Sequence, residues 1–147
     1  MRLVTKVRYG TRILLDLSMN QSLGLVRMKD IAARQNISLK YLEQLIRPFN
    51  AAGFVASKRG PKGGHSLAKK PEQITLAQIV RLFQSEHSFE EMSDDGVTCS
   101  DFQDYLIRSA WNDGTKAFYD KLETITLADL SIGTTKEIWK SSDLVVI

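Results

Sequence analysis

The chain has 147 residues, the length of one ordinary domain, with 43% hydrophobic and 25% charged residues, which excludes wholesale disorder, a fibrous repeat and a disulfide-stapled miniprotein. Its formal net charge of +3 hides a division: residues 1–70 hold 14 Lys and Arg against 3 Asp and Glu, or +11, and residues 71–147 hold 6 against 14, or −8. A basic N-terminal surface suited to a polyanion, and an acidic C-terminal half kept off it, are therefore expected.

No apolar run nears the roughly 18 residues of a membrane span. The start Met1-Arg2-Leu3-Val4-Thr5-Lys6-Val7-Arg8 continues into charge instead of a signal-peptide stretch. Cys99 is the single cysteine and cannot form an intramolecular disulfide. A soluble, cytoplasmic protein is the expectation, in keeping with a reducing compartment.

Leu3, Val7, Gly10, Leu14 and Leu17 recur at spacings of four and three, the stripe of a helix over residues 3–19 whose free face carries Lys6, Arg8 and Arg12. A loop at 20–24 follows, and Leu25-Val26 reads as a very short strand. Met28, Ile31 and Ala32 place a second helix over 28–35. Ser38 stands as the cap of a third, with Leu39, Leu42, Leu45, Ile46 and Phe49 facing inward and Lys40, Tyr41, Gln44 and Arg47 outward. Pro48 is expected to kink this helix or end it near Arg47. Two short helices separated by Asn36-Ile37 have the form of a helix-turn-helix.

Phe54 to Arg59, the turn Gly60-Pro61-Lys62-Gly63-Gly64, and His65 to Ala68 predict a hairpin whose tip bears Lys58, Arg59, Lys62 and His65. A basic-tipped hairpin directly after a helix-turn-helix is a wing. Thr75-Leu76-Ala77-Gln78 is a capping box, with Ile74 and Ile79 as a hydrophobic staple, opening a fourth helix to Gln84. Residues 85–100 read as an acidic exposed loop. From Asp101, Phe102, Leu106, Ala110 and Ala117, with Ile107, Trp111, Phe118, Leu122 and Ile125 beside them, mark a helix of more than twenty residues. Thr126 starts a short helix with the same capping chemistry as Thr75. Residues 132–147 show no clear pattern.

The fold class read from these elements is mainly α with a small β hairpin: a winged helix-turn-helix over 1–84, an acidic sensor loop over 85–100, a long helix and short helix over 101–131, and a tail over 132–147. The helix beginning at Ser38 would enter a major groove and the wing would reach backbone or minor groove. The DNA-contact candidates are Ser38, Lys40, Tyr41, Glu43, Gln44 and Arg47 on the helix, with Lys58, Arg59, Gly60, Pro61, Lys62, Gly63 and Gly64 in the wing. A merely solvated polar face is the alternative; the concentration of positive charge in this half weighs against it.

Met1-Arg2-Leu3, Tyr9, Ile37-Ser38-Leu39, Tyr41-Leu42-Glu43-Gln44-Leu45, Arg59-Gly60-Pro61-Lys62-Gly63-Gly64 and Ile125-Thr126-Leu127 resemble the Rrf2 family of bacterial winged-helix regulators from residue 1 to about 130. The resemblance implies a homodimer on palindromic operator DNA, with the helix from about Asp101 to Glu123 crossing its partner through Phe102, Leu106, Ala110, Trp111, Ala117 and Phe118. It matches Ser38, Tyr41, Glu43 and Gln44 to the family's reading helix and Arg59 to its wing arginine, whereas Lys40 falls at a variable position.

The sensory site departs from that pattern. Members carrying an iron–sulfur cluster resemble one another in three cysteines before and at the start of the long helix, with a further ligand near the tryptophan. Here Cys99 matches the central cysteine, the flanking positions fall near Ser93 and on Tyr105, and the further ligand position falls on Arg108. A conventional three-cysteine cluster is thereby excluded. Cys99 is left as a structural thiol, a redox or electrophile sensor, or a single thiolate in an unusual cluster completed by His, Glu or Asp; the cofactor is unknown.

His65 is read as a phosphate or hydrogen-bond partner and His87 as a solvated residue. Phe102, Trp111 and Phe118 are read as core or dimer packing, with an effector pocket as the alternative. The acidic stretch from Glu86 to Asp104 lacks calcium-loop spacing. The expected function is a dimeric transcription factor, a repressor, answering a redox, iron–sulfur or metabolite signal near residues 85–105. The alternative is a module acting through a protein partner, a metabolic enzyme. An enzyme is not expected: there is no nucleophile–base pair or metal-ligand spacing, and the glycines at 60–64 lack the Lys-Ser/Thr of a phosphate loop.

Overall fold

Helix α1, Thr5–Met19, buries Val7, Gly10, Ile13, Leu14 and Leu17 on one side and leaves Lys6, Arg8 and Arg12 exposed. The computed structural model describes residues 5–84 and 102–133. Gly10 is required by contact: a Cβ there would stand 2.6 Å from the Phe83 ring and 3.0 Å from Phe49. After a 3-10 turn, Gln21–Leu23, the chain enters α2, Met28–Gln35.

The turn out of α2 uses Asn36 in the left-handed region, φ 52°, which Asn tolerates better than most residues. The Ile37 amide returns to the Ala32 carbonyl at 3.1 Å, closing the helix end, and Ile37 packs against the core. Asp16 locks α1 to α2. Its carboxylate, the one buried charge among the described residues, accepts from Arg34 Nε at 2.9 Å, Arg34 Nη2 at 2.7 Å and Gln35 Nε2 at 2.8 Å. Gln35 Oε1 accepts from Arg12 Nε at 2.9 Å, extending the network back onto α1.

Helix α3, Leu39–Ala51, corrects two expectations. Of the two outcomes expected at Pro48, an end near Arg47 is excluded: the helix runs three residues beyond the proline. The missing Pro48 N–H costs one bond, but fully buried Phe49, packed edge-on to Phe83 at 5.1 Å and tilted on Phe54 at 6.1 Å, holds the last turn in place. Leu39 is 41% exposed instead of inward, because the core that covers Leu42, Leu45, Ile46 and Phe49 does not extend to the first residue of the helix.

Strands β1, Val55–Lys58, and β2, Gly64–Leu67, pair antiparallel with Lys58 opposite Gly64. The short strand expected at Leu25-Val26 is a single bridge from Val26 to His65, with both amide–carbonyl distances 2.8 Å. It stitches the entry of α2 to the hairpin.

After a 3-10 turn, Pro71–Gln73, Thr75 caps α4, Leu76–Phe83, through the capping box with Gln78. Helix α5, Phe102–Glu123, has no buried residue. Helix α6, Leu127–Gly133, starts at Thr126, whose hydroxyl accepts from the Asp129 amide at 3.2 Å while the Asp129 carboxylate accepts from the Thr126 amide and hydroxyl. These bonds hold the Asp129 carboxyl below its usual range.

The two threonine caps meet: Thr75 bridges Thr126, the Leu76 amide donates to Ile125 at 2.9 Å and the Leu127 amide to Ile74 at 2.8 Å. Leu127 and Ile74 are fully buried. Among the described residues, seventeen buried apolar side chains form one cluster spanning α1, α2, α3, the hairpin, α4 and Leu127, so the core of the N-terminal half takes a residue from far down the chain.

Candidate nucleic-acid interface

The surface expected to read DNA begins at the cap. Ser38 Oγ accepts from the Tyr41 amide at 3.2 Å, satisfying an N–H that the first turn would otherwise leave open. Lys40, Glu43, Gln44 and Arg47 are exposed on one side of α3, and Tyr41 is half-buried. Its ring meets Tyr9 edge-on at 5.8 Å, and Tyr9 is flanked by the guanidinium groups of Arg8 at 5.0 Å and Arg12 at 5.5 Å. A cationic aromatic pair therefore anchors the tyrosine of the reading helix to α1.

The wing is shaped by what its glycines lack. Gly60 has φ 109°, a conformation an L side chain rarely takes. A Cβ on Gly63 would collide with the Lys58 carbonyl, and one on Gly64 would stand 2.8 Å from the Val26 carbonyl. Lys58, Arg59 and Lys62 extend into solvent from this turn, and none of them is ion-paired among the described residues. Of the wing candidates, Gly63 is half-buried and Gly64 buried, so these two set the turn's shape while the cations and Gly60-Pro61 form its outer surface.

His65 is corrected from the tip to β2, half-buried and paired with Val26. Ser57 Oγ donates to Asn50 Oδ1 at 2.8 Å and lies 2.7 Å from His65 Nδ1. With the hydroxyl proton committed to Asn50, His65 Nδ1–H donates to Ser57. This chain of bonds fixes both strands to the last turn of α3. Burial holds the imidazole below its usual range.

One part of the surface was missed in the sequence. Arg27, Met28 and Lys29, at the entry of α2, face Gly60, Pro61, Gly63, Gly64 and His65 across a groove of about 470 Å³. The Val26 bridge brings these segments together, and residue spacing carries no signal for a contact between segments nearly forty positions apart.

Helix α5 shows a second surface. Phe102 is 73% exposed, Leu106 50% and Trp111 48%, with Tyr105 and Ile107 also exposed. Ala110 and Ala117 are exposed too. Phe118 instead turns half-buried against the core of its own chain. The end of α5 is tied to α4: Arg81 pairs with Glu123 and lies 4.8 Å over the Tyr119 ring, and Thr75 Oγ1, at the cap of α4, donates to Glu123 at 2.9 Å. These partners, Arg81 foremost, hold the Glu123 carboxyl below its usual range. A pocket of about 440 Å³ between α1, α4, α5 and α6 is lined by Val7, Leu15, Val80, Phe118 and Leu122. Phe102 and Trp111, the other two aromatics considered for an effector site, are not part of its wall.

Cys99, Ser93, His87 and Glu86 lie outside the described residues. At two positions where the resemblance places cluster ligands, the exposed phenol of Tyr105 and the guanidinium of Arg108 stand on α5, Arg108 paired with Asp104 at 2.9 Å. A cationic guanidinium engaged by a carboxylate is no iron ligand, and the chain holds one thiol. The residues present therefore do not fit a three-cysteine iron–sulfur centre. Among the described residues, no helix is long and apolar enough to cross a membrane.

A capped helix-turn-helix followed by a glycine-shaped basic wing defines a winged-helix DNA-binding regulator. The profile of the Rrf2 family, described as an iron-dependent transcriptional regulator, matches residues 3–132, and the chain belongs to that family. The protein rrf2 of Nitratidesulfovibrio vulgaris is 44% identical over 130 residues, 88% of this chain and 87% of that one. Among solved structures, T. potens IscR superposes with a TM-score of 0.73 at 34% identity, covering 91% of this chain and 88% of that one. CymR, the global cysteine regulator of B. subtilis, gives 0.73 at 32% identity over 92% and 99%. The role shared by these relatives is transcriptional regulation and not catalysis.

Proposed function

We propose that the protein is a homodimeric repressor that holds a palindromic operator through α3 and the wing and releases it on a signal received near residues 85–105. The observation that carries this reading is the contrast between two faces of one protomer. Lys40, Arg47, Lys58, Arg59 and Lys62 are exposed on α3 and the wing beside a single acid, Glu43, while α5 presents Phe102, Leu106, Ile107 and Trp111 to solvent.

The first face suits a polyanion. Gln44 has the geometry to pair with adenine, Lys40 with guanine or phosphate, and Glu43 accepts from a cytosine amino group or rejects a wrong register. Arg59 at the wing suits a narrow, electronegative minor groove. The second face suits a copy of itself: a helix with an apolar stripe and no buried residue is incomplete alone. Two α5 helices crossing would bury that stripe and set two reading helices at a fixed separation, which a palindrome matches.

The test is a titration of a duplex selected by this protein from a random library. The Arg59→Ala, Gln44→Ala double variant is expected to bind it at least tenfold more weakly than the unaltered protein, with Gln44→Ala relaxing base preference at one position of each half-site. Undiminished binding by the double variant defeats the docking.

A further inference from the structure

The groove between the entry of α2 and the wing adjoins the face just described: it shares the wing's glycines and adds Arg27 and Lys29, which that face does not include. It is lined by Arg27, Met28 and Lys29 from the entry of α2 and by Gly60, Pro61, Gly63, Gly64 and His65 from the hairpin. Both cations are exposed, and neither forms an ion pair among the described residues. The nearest acid in sequence, Asp30, acts instead on Arg34 one turn further along α2.

The groove has fixed walls. Val26 and His65 exchange two backbone hydrogen bonds of 2.8 Å immediately beneath it, and Gly64 lies too close to the Val26 carbonyl to admit a side chain. His65 gives its Nδ1 proton to Ser57 and adds no positive charge while neutral. What remains is a wall in which three glycines leave backbone uncovered beside Pro61, facing two cations with no ion pair among the described residues. Such a site admits a compact anion close to the backbone.

We propose that this groove seats a phosphate of duplex DNA, with Arg27 and Lys29 as its ligands, so that the strand entering under the wing is clamped between α2 and the wing turn. This rests on the DNA-binding reading above and adds a contact that supplies affinity without sequence information. Arg27 matches the tetrahedral oxygens through two N–H groups and Lys29 acts as a point charge. The Val26 bridge holds this seat to the wing, so a phosphate there fixes the angle at which Arg59 meets the groove.

The experiment measures the affinity of the full-length protein for its selected duplex and for a scrambled one across a salt series, against the Arg27→Gln, Lys29→Gln variant. Both substitutions are on exposed side chains, and an unchanged melting temperature confirms folding. The log affinity against log salt is expected to be shallower by about 2 in the variant, on both duplexes alike, with the ratio between duplexes kept. A scan placing one neutral methylphosphonate at a time should find a phosphate in each half-site whose neutralisation weakens the unaltered protein but not the variant.

Equal slopes and equal scans overturn the seat while leaving the DNA-binding reading intact. Failure of the unaltered protein to bind any selected duplex overturns that reading first. Inorganic phosphate at millimolar concentration is the second arm. If it shifts the amide resonances of Gly63 and Gly64 in the free protein, and the variant abolishes this without altering the slope on DNA, the groove is a free-anion site and the DNA assignment is wrong.

Discussion

Replacing Arg34 is expected to destabilise the fold more than replacing its buried partner. The Asp16 side chain is 3% exposed and that of Arg34 39%. Arg34→Ala leaves the carboxylate inside with Gln35 Nε2 at 2.8 Å and a long contact from Asn20 Nδ2 at 3.4 Å. Two charge-assisted bonds are lost, and removing one partner of a fully buried pair costs about 3–5 kcal/mol. Because Arg34 reaches solvent, water replaces part of what it supplied, and the expected cost falls to about 2–3 kcal/mol. Asp16→Ala removes the buried charge itself and leaves Arg34, Gln35 and Asn20 donors that can turn outward, so about 1 kcal/mol is expected. The assay is urea unfolding at one protein concentration, since self-association alters apparent stability. With a slope of about 1–3 kcal/mol per molar, the Arg34→Ala midpoint should drop by roughly 1 M. The reasoning is refuted if Asp16→Ala costs as much as Arg34→Ala, or if Arg34→Ala costs under about 0.5 kcal/mol.

Four further outcomes are expected. His65 is held below its ordinary pKa by burial, so the unfolded chain takes up a proton first as pH falls through about 6.5, and stability should decline below that value; His65→Asn, which keeps a donor for Ser57, should flatten the difference between pH 7.5 and 5.5 in denaturant titrations. Ser38→Ala should cost about 1 kcal/mol through the lost cap, read by the same unfolding assay. Gly63→Ala should weaken DNA binding more than Lys62→Ala does, because a Cβ meets the Lys58 carbonyl and opens the turn, and should lower stability by about 1–3 kcal/mol. Trp111→Glu on the exposed face of α5 should shift the protein to monomers in sedimentation and reduce operator affinity by at least tenfold; a dimer that persists would place the interface elsewhere.

Along the chain, what was legible was whatever depends on neighbours a few residues apart. The cap at Ser38, the capping chemistry at Thr75 and Thr126, the break between helices at Asn36-Ile37 and the basic hairpin are all written in local spacing and side-chain chemistry. Pro48 shows where local rules fail: a missing N–H argues for an end, but Phe49 locked between Phe54 and Phe83 outweighs it. Leu39 fits the inward stripe by spacing and yet stands exposed, because a stripe says which way a side chain points and not how far the core extends.

The charge division, the winged helix-turn-helix and the exposed polar face of α3 were thus determined by the sequence itself, since caps, turns and periodicity act over less than two turns of helix. Tertiary structure decided the rest. Val26 meets His65, Ile74 meets Leu127 and Asp16 meets Arg34 only after the chain has folded back on itself. These contacts create the groove at Arg27 and Lys29, seal the core with a residue from the C-terminal half, and orient α2. Their partners lie far apart in sequence, and the geometry that joins them comes from burial of a shared apolar core, which no local pattern encodes.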